Sequence, residues 1–513
     1  MKKDYDVDVL IVGYGAAGAN AAIAAHDAGA RVLIAEKLGA GGGNSAVCAG
    51  AMVIPESIEA AIAYYRALSS GTVGEEMIRA FAEAMVGIPD LLSRLGLEFT
   101  AGPPISPSFP SMMSGKLKQI HINPTGENGF RFLDGQVKDR KIEVLTDTQV
   151  KTLIQNPETR EILGAKAQRK GQDIQLLARK GVILTCGGYA YNPAMLANFN
   201  FPGVTDYIFS WGSPGNTGDG INLASEAGAA LWHMAAIEWG RFCAREPSKR
   251  FGTAIGYGLG RTKRAGSYMF VNKFGERFMA EDALLSHCKE QLDILRYDHG
   301  NAEYRNLPAF MIFDRTYLSR GPIAPTAQML QKKRGGIVGY CLVNKIYDWS
   351  ADNQAEIDEG WVLQAETVAD LADKIGAETG VLEATIRQFN RACTEQCDSL
   401  FGRNKKTLAP FETPPYFAVE LGLSLVNTQG GPKRNVNCQV LDHNQRVIPR
   451  LYAAGELGSF FGFLYQVGSN YPEAWAFGQI AGKMAATETP LNETPHQFHV
   501  PRLDRIDSLH ELI

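Results

Sequence analysis

Asp8-Val9-Leu10-Ile11-Val12-Gly13-Tyr14-Gly15-Ala16-Ala17-Gly18, then an alanine-rich segment to Ala30 and Arg31-Val32-Leu33-Ile34-Ala35-Glu36, decides how the whole chain is read. The apolar run before Gly13 is short and continuous, as in a buried strand, and the alanine-rich segment has helical composition. The order is therefore strand, tight turn, helix, strand. Its glycines have separable tasks: Gly13 permits the turn, Gly15 lets the backbone approach a pyrophosphate, and Gly18 lets the helix pack on the strand. The N–H groups at the start of the helix, around Ala16 and Ala17, are then positioned to meet phosphates. Glu36, about 20 residues further on, offers a carboxylate to a ribose diol, so the unit reads as a dinucleotide site.

A second glycine loop, Gly39-Ala40-Gly41-Gly42-Gly43-Asn44-Ser45, follows Glu36-Lys37 almost at once. A nicotinamide domain has no need of it. Lys37, Gly42, Gly43, Asn44 and Ser45 thus join the candidate cofactor contacts, and the pairing of the two loops resembles the FAD-binding start of flavoproteins.

The 513 residues exceed one hydrophobic core, and two domains are expected. A 45% hydrophobic and 21% charged composition is that of an ordinary soluble globular chain. The net charge of -4 lacks the Lys and Arg excess that neutralises phosphates, so no nucleic-acid partner is expected. No apolar run approaches a membrane span. Met1-Lys2-Lys3-Asp4 leads within a few residues into the first strand, leaving no room for a signal peptide, and the expected location is cytoplasmic. The 8 cysteines show no disulfide, zinc or haem-attachment spacing. No metal is expected, and electrons should come from or go to a separate molecule.

Residues 57–70 and 74–95 have helical spacing, with Ile78, Phe81, Ala82, Met85, Ile88 and Leu92 on one face. Residues 101–110 read as a turn-rich loop. A strand region at 142–153 puts Val150 on the adenine side, and 162–179 reads as a hairpin turning at Gly171-Gln172. Residues 180–188 form a buried-strand pattern ending in Cys186-Gly187-Gly188, where the backbone can pass close to a cofactor. Asp219 precedes a helix expected at 221–230, either as its N-cap or as a contact to cofactor hydroxyls.

Taken in order, GYGAAG (13–18), GGGNS (41–45), TCGG (185–188), TGDG (217–220), GERF (275–278), DSLFGR (398–403), PPYFA (414–418) and LYAAGE (451–456) resemble one family. It is the FAD-containing fumarate reductase and succinate dehydrogenase flavoprotein superfamily, which includes the 3-ketosteroid dehydrogenases, and the likeness runs from about Asp6 to Ala486. The resemblance implies an α/β fold: a Rossmann-like FAD-binding domain, a parallel sheet with helices, made from 1–235 and 410–490. An α+β capping domain is inserted at 236–409. A polar tail, 491–513, is expected to wrap the body or a neighbouring subunit of a homo-oligomer. FAD is expected to be held non-covalently, with Gly455 and Glu456 at the ribityl chain. The helix opening at Ser469-Asn470 would point at flavin N1 and the C2 carbonyl, where its dipole stabilises the charge that hydride transfer creates.

The family's carboxylate-binding groups are missing. Ala283-Leu284-Leu285 stands where a proton-donating Arg belongs, Phe463-Leu464-Tyr465-Gln466 where a second Arg does, and Ile237-Glu238-Trp239-Gly240 replaces a His-Pro-Thr motif. Dicarboxylate chemistry loses its bidentate donors. The apolar and phenolic run 460–465 suits a hydrophobic cyclic substrate. Tyr465 falls where ketosteroid dehydrogenases carry a Tyr that, with a glycine N–H, here that of Gly468, holds a ketone oxygen. Removing a hydrogen pair beside a carbonyl sends the α-hydrogen off as a proton and the β-hydrogen to flavin N5 as hydride. The enolate needs such donors and the proton needs a base. Tyr317 is the candidate base, with Tyr471, Tyr268, Tyr257 and His287 as alternatives. The implied activity is FAD-dependent introduction of a C=C bond beside the ketone of a cyclic substrate, with an external electron acceptor or donor. The alternatives are ene-reduction of a cyclic enone and plain flavin electron transfer. Arg261, Lys263 and Arg264 could hold a carboxylate on a smaller ring ketone, although a solvated surface is the simpler reading of that cluster.

Overall fold

In the computed structural model, Val9, Leu10 and Ile11 are fully buried, as a strand flanked on both sides and covered on both faces requires. The structure describes residues 5–491 except 114, 123–125, 247–251, 254–258, 260–265, 283–288 and 327–346. Strand β1 (Tyr5–Val12) lies between β2 (Val32–Ala35) and the strand Gln172–Leu184, parallel to both, and helix α1 (Ala16–Asp27) makes the crossover to β2. Glu143–Leu145 extends the sheet beyond β2. On the other side, Val447–Ala453 pairs parallel with Gln172–Leu184, Leu451 opposite Val182. The dinucleotide sheet is thus built from both ends of the chain. The hairpin of Ile162–Arg169 and Gln172–Leu184 forms, but it turns at Lys170-Gly171 and not at Gly171-Gln172, because Gln172 already pairs with Arg169.

Helix Asn470–Thr487 packs directly on α1. A Cβ at Gly482 would overlap the Ala21 carbonyl oxygen, and one at Gly478 would lie 2.5 Å from the Ala17 carbonyl oxygen. Glycine is required because the two helix backbones touch.

A second sheet is organised by the long strand Tyr416–Thr428. It pairs antiparallel with Ala309–Asp314, Val362–Ala365, Ile237–Trp239 and Cys243–Ala244, and parallel with Ile208–Ser210. Tyr268–Asn272 adds to Ala309–Asp314. Ile208–Ser210 and Tyr416–Thr428 lie outside 236–409 yet share the sheet. The boundaries at 235 and 410 therefore do not separate sheet from sheet. One continuous strand carries the second sheet as far as Asn427 and Thr428.

The GERF and DSLFGR motifs meet in a buried ion network. Arg277 pairs with Glu281 and Asp398, each at 2.9 Å, and Arg403 with Glu281 at 3.2 Å. Both guanidiniums lie over the Phe389 ring, at 5.0 and 5.3 Å.

Three local expectations change. Residues 74–95 form two helices, Glu75–Val86 and Ile88–Leu95, which meet at Gly87 because Pro89 supplies no N–H to continue the first. Residues 100–105 form a strand against Leu117–His121 rather than a loop, its register slipping between Gly102 and Ile105 where Pro103-Pro104 lack donors. The helix after TGDG runs Asp219–Glu226 with Gly218 as its cap residue, so Asp219 is helical and not the N-cap. No helix among the described residues is long and apolar enough to cross a membrane.

Candidate functional site

Where β1 ends and the chain turns through Gly13-Tyr14-Gly15, a cavity of about 390 Å³ opens. Of the residues expected at a cofactor or substrate, Gly13, Gly15, Ala16, Ala17, Glu36, Lys37, Gly43, Asn44, Ser45, Val150, Cys186, Gly187, Asp219, Gly455, Glu456, Tyr465, Gly468 and Asn470 line it. Gly18, Gly42, Gly188 and Ser469 are not on its wall. Gly18 packs on Gly13 and Thr185, and a Cβ at Gly188 would overlap Thr428 and Glu456. The Ser469 hydroxyl donates to the Val53 carbonyl at 3.2 Å. These residues support the wall from behind.

The three motif glycines separate physically. A Cβ at Gly13 would lie 2.6 Å from the Thr185 carbonyl oxygen, on a backbone with φ +102°, and one at Gly18 would overlap the Gly13 carbonyl oxygen. Gly15 is different: its nearest neighbours to a Cβ would be 3.5 and 3.6 Å away, and its backbone is extended. The fold itself leaves room for a side chain there. What Gly15 keeps clear is the cavity, at the N-terminus of α1, where a pyrophosphate fits.

Glu36 accepts the N–H groups of Tyr14 and Leu38, each at 2.8 Å, so its carboxylate also ties down the glycine turn. Burial raises its pKa, the two amides only partly opposing this. Nearby, Lys37 donates to the Thr217 hydroxyl at 2.6 Å and to Asp219 at 3.0 Å. Burial would raise the Asp219 pKa, but the Thr217 hydroxyl and Lys37 outweigh it and hold the carboxyl low. Asn44 joins the second glycine loop to the far end of the chain: its Nδ2 donates to Glu456 at 2.7 Å and its Oδ1 accepts from Ser213 N at 2.7 Å. Burial pushes the Glu456 carboxyl up to about 7.

Tyr465 also lines the cavity, with Gly468 bonded to it and Val53 against Gly468; Ile105 and Val467 are further apolar lining residues. The Tyr465 hydroxyl oxygen accepts from Gly468 N and from Asn470 N, both at 3.2 Å. Gly468 therefore donates to the phenol itself, whereas the sequence placed its N–H beside the phenol as a second donor to a ketone. A phenol oxygen that accepts two amides still carries one hydrogen, the atom through which it can donate. Burial raises its pKa; the neighbouring Glu238 adds to this, and the amides of Asn470 and Gly468 oppose it. The 466–468 loop is held in place by Gln466, whose Oε1 accepts from the Tyr64 hydroxyl at 2.7 Å and from Ser108 N at 2.9 Å.

The structure does not bring Tyr317 to the cavity. It is buried in the second sheet's core against Tyr268 and Phe313, ring centroids 5.0 and 5.6 Å apart, and Tyr268 is buried with it. The aromatic packing of the second sheet, not the site, accounts for both. Tyr471 does line the cavity, its hydroxyl donating to the Gly126 carbonyl at 3.3 Å. Tyr257, His287, Arg261, Lys263 and Arg264 lie outside the described residues. Gln119, Trp211 and Asn427 line the cavity but carry no local motif. Glu238, cross-strand from Asn427 and fully buried, was equally silent in sequence. Strand pairing sets Glu238 opposite Asn427, while Gln119 reaches the cavity from a separate three-stranded sheet.

The lining fits an adenine-flavin dinucleotide: a side-chain-free phosphate end, hydroxyl-binding carboxylates beside it, and a helix N-terminus at the far end. The FAD binding domain family matches residues 8–471. Urocanate reductase of Eggerthella lenta is 28% identical over 511 residues, covering 94% of this chain and 75% of that protein. A 3-oxosteroid 1-dehydrogenase of Mycobacterium tuberculosis is 28% identical over 321 residues, covering 59% of this chain and 52% of that protein. Among solved structures, 3-ketosteroid delta1-dehydrogenase from Sterolibacterium denitrificans, in complex with 1,4-androstadiene-3,17-dione, superposes with a TM-score of 0.76 at 21% identity, covering 94% of this chain and 99% of that one.

Proposed function

The chain belongs to the FAD binding domain family, and from that premise we propose that it moves a hydrogen pair across the C–C bond beside the carbonyl of an uncharged cyclic substrate, in the direction of desaturation. It is an FAD-dependent oxidoreductase of the fumarate reductase and ketosteroid dehydrogenase family. The observation that carries the finer reading is the hydroxyl of Tyr465, held by two amides at the apolar end of the cavity. Among the described lining residues the one Lys or Arg is Lys37, and it is paired with Asp219. Among the described residues, a carboxylate at the Tyr465 end would be buried without a cationic partner, at high cost. A ketone oxygen needs only a neutral donor.

FAD, when bound, supplies the hydride acceptor. Tyr465 donates its O–H to the carbonyl oxygen and stabilises the negative charge that grows there as the α-proton passes to a base, a role for which Tyr471 is the candidate on the cavity wall. The amides of Gly468 and Asn470 pull electron density from the phenol oxygen and make its hydrogen a stronger donor. Gly468 acts through Tyr465 in this reading. Its own side chain is excluded, because a Cβ would lie 2.6 Å from Val53 on a backbone with φ +84°. Turnover also requires an external electron acceptor.

The reverse reaction, reduction of a cyclic enone, is the second reading. It is favoured by the length of the likeness to a reductase, 94% of this chain against 59% for the 3-oxosteroid 1-dehydrogenase. Anaerobic mixing separates the two. Saturated cyclic ketones bleach the oxidised flavin under the first; under the second they leave it yellow, and enones reoxidise the reduced enzyme. Tyr465→Phe is expected to lower turnover roughly 10²–10³-fold with FAD retained. Unchanged turnover would remove Tyr465 from the mechanism.

A further inference from the structure

Behind Tyr465 lies a cluster of polar side chains, none of which lines the cavity. Gln429, Ser459 and Glu473 are fully buried, and Arg434 nearly so. Glu473 accepts from Arg434 Nη2 at 2.6 Å, from Phe460 N at 2.8 Å and from the Ser459 hydroxyl at 2.7 Å. Arg434 also donates to the Gly458 carbonyl at 3.0 Å and lies over the Phe477 ring at 4.6 Å. An ion pair this deep is a weak source of stability, since apolar residues of similar volume often serve as well. Its presence calls for another reason.

The groups converge on Asn470. Its Nδ2 donates to Gln429 Oε1 at 2.8 Å and to the Ser459 hydroxyl oxygen at 3.1 Å, and its Oδ1 accepts from Gln429 Nε2 at 3.0 Å. The two amides thus pair reciprocally, and a third group fixes their plane. Both ends of the Asn470 side chain are taken up by protein groups, its Oδ1 also accepting from Asn427 Nδ2 at 3.5 Å. What Asn470 gives the site is its backbone N–H, and that donates to the Tyr465 oxygen.

We propose that Gln429, Ser459 and the Glu473–Arg434 pair are positioning residues that hold Asn470 and, through its backbone N–H, aim the hydroxyl of Tyr465. The proposal rests on the role given to Tyr465 above. A buried, fully bonded polar network fixes one geometry where an apolar cluster would tolerate several. Misplacement by about 1 Å can cost 10²-fold in rate. None of these residues touches substrate, so each acts only through the phenol.

The test is a double-mutant cycle on the FAD-loaded enzyme. Gln429→Ala and, as the milder variant, Ser459→Ala are expected to lower kcat about tenfold or more with KM little changed and FAD retained. In a Tyr465→Phe background the same substitutions should cost nothing further, because the group they position is gone. A second readout uses FAD-free protein labelled with 3-fluorotyrosine. The 19F signal of Tyr465, assigned by its loss in Tyr465→Phe, should shift or broaden in Gln429→Ala and Ser459→Ala. Losses of equal factor in both backgrounds, or an unmoved 19F signal, overturn the proposal. If Tyr465→Phe alone leaves turnover unchanged, the catalytic reading falls, and the 19F signal still decides whether the cluster holds the phenol.

Discussion

Gly15 answers to the cofactor and not to the fold, while Glu456, bonded to Asn44, shows what burial does to a single carboxyl. A Cβ at Gly15 would meet nothing closer than 3.5 Å. Gly15→Ala is therefore expected to melt near the wild-type temperature and yet bind FAD at least about tenfold more weakly, a loss of about 1.4 kcal/mol. Titration of the apoprotein with FAD measures it, and unchanged affinity would refute the pyrophosphate assignment. Glu456 holds its proton to about pH 7 in the folded chain, against a usual value of 4.5. Below pH 4.5 both states are protonated and nothing is lost. Between 4.5 and about 7 the unfolded carboxyl ionises first, so rising pH draws stability out of the folded state. Glu456→Gln should therefore raise the Tm of the FAD-free protein more at pH 8 than at pH 4.5. Equal shifts at the two pH values would show that Glu456 titrates normally.

The element that matters most for the site is helix Asn470–Thr487, because its first residue holds Tyr465 and its body lies against α1. The overlap a Cβ at Gly482 would make with Ala21 is backbone against backbone, which no rotamer relieves. Gly482→Ala is expected to lower stability by about 1–3 kcal/mol, the usual cost of overpacking, and to loosen FAD by displacing both helix N-termini at once. Thermal melts and FAD content measure the two effects, and a neutral result would mean that the helices can slide apart without cost. Elements whose signals are local were legible in sequence: β1, α1 and β2, and the hairpin of Ile162–Arg169 and Gln172–Leu184, its turn displaced by one residue. The strand Thr100–Ile105 was not. Its glycine and prolines carry the composition of a turn, and only pairing with Leu117–His121 makes it a strand.

At the scale of the molecule, the first and last thirds of the chain close on each other around the cavity. Asn44 reaches Glu456, Tyr64 reaches Gln466, and Val447–Ala453 lies beside the strand next to β1. The second sheet is centred on Tyr416–Thr428, whose far end supplies the cavity residues Val426 and Asn427, so that sheet and the cavity are joined through one strand. By itself the sequence determined the dinucleotide unit, the second glycine loop, the family and hence FAD. Each of these rests on residues a few positions apart, where backbone sterics and helix-end hydrogen bonds dictate the residue type. Only the tertiary structure decided that Gly468 donates to Tyr465, that Tyr317 belongs to a core, and that Gln429, Ser459 and Glu473 converge on Asn470. Those contacts depend on how sheets and helices pack across long separations, and packing leaves no period or spacing in the sequence from which to read it.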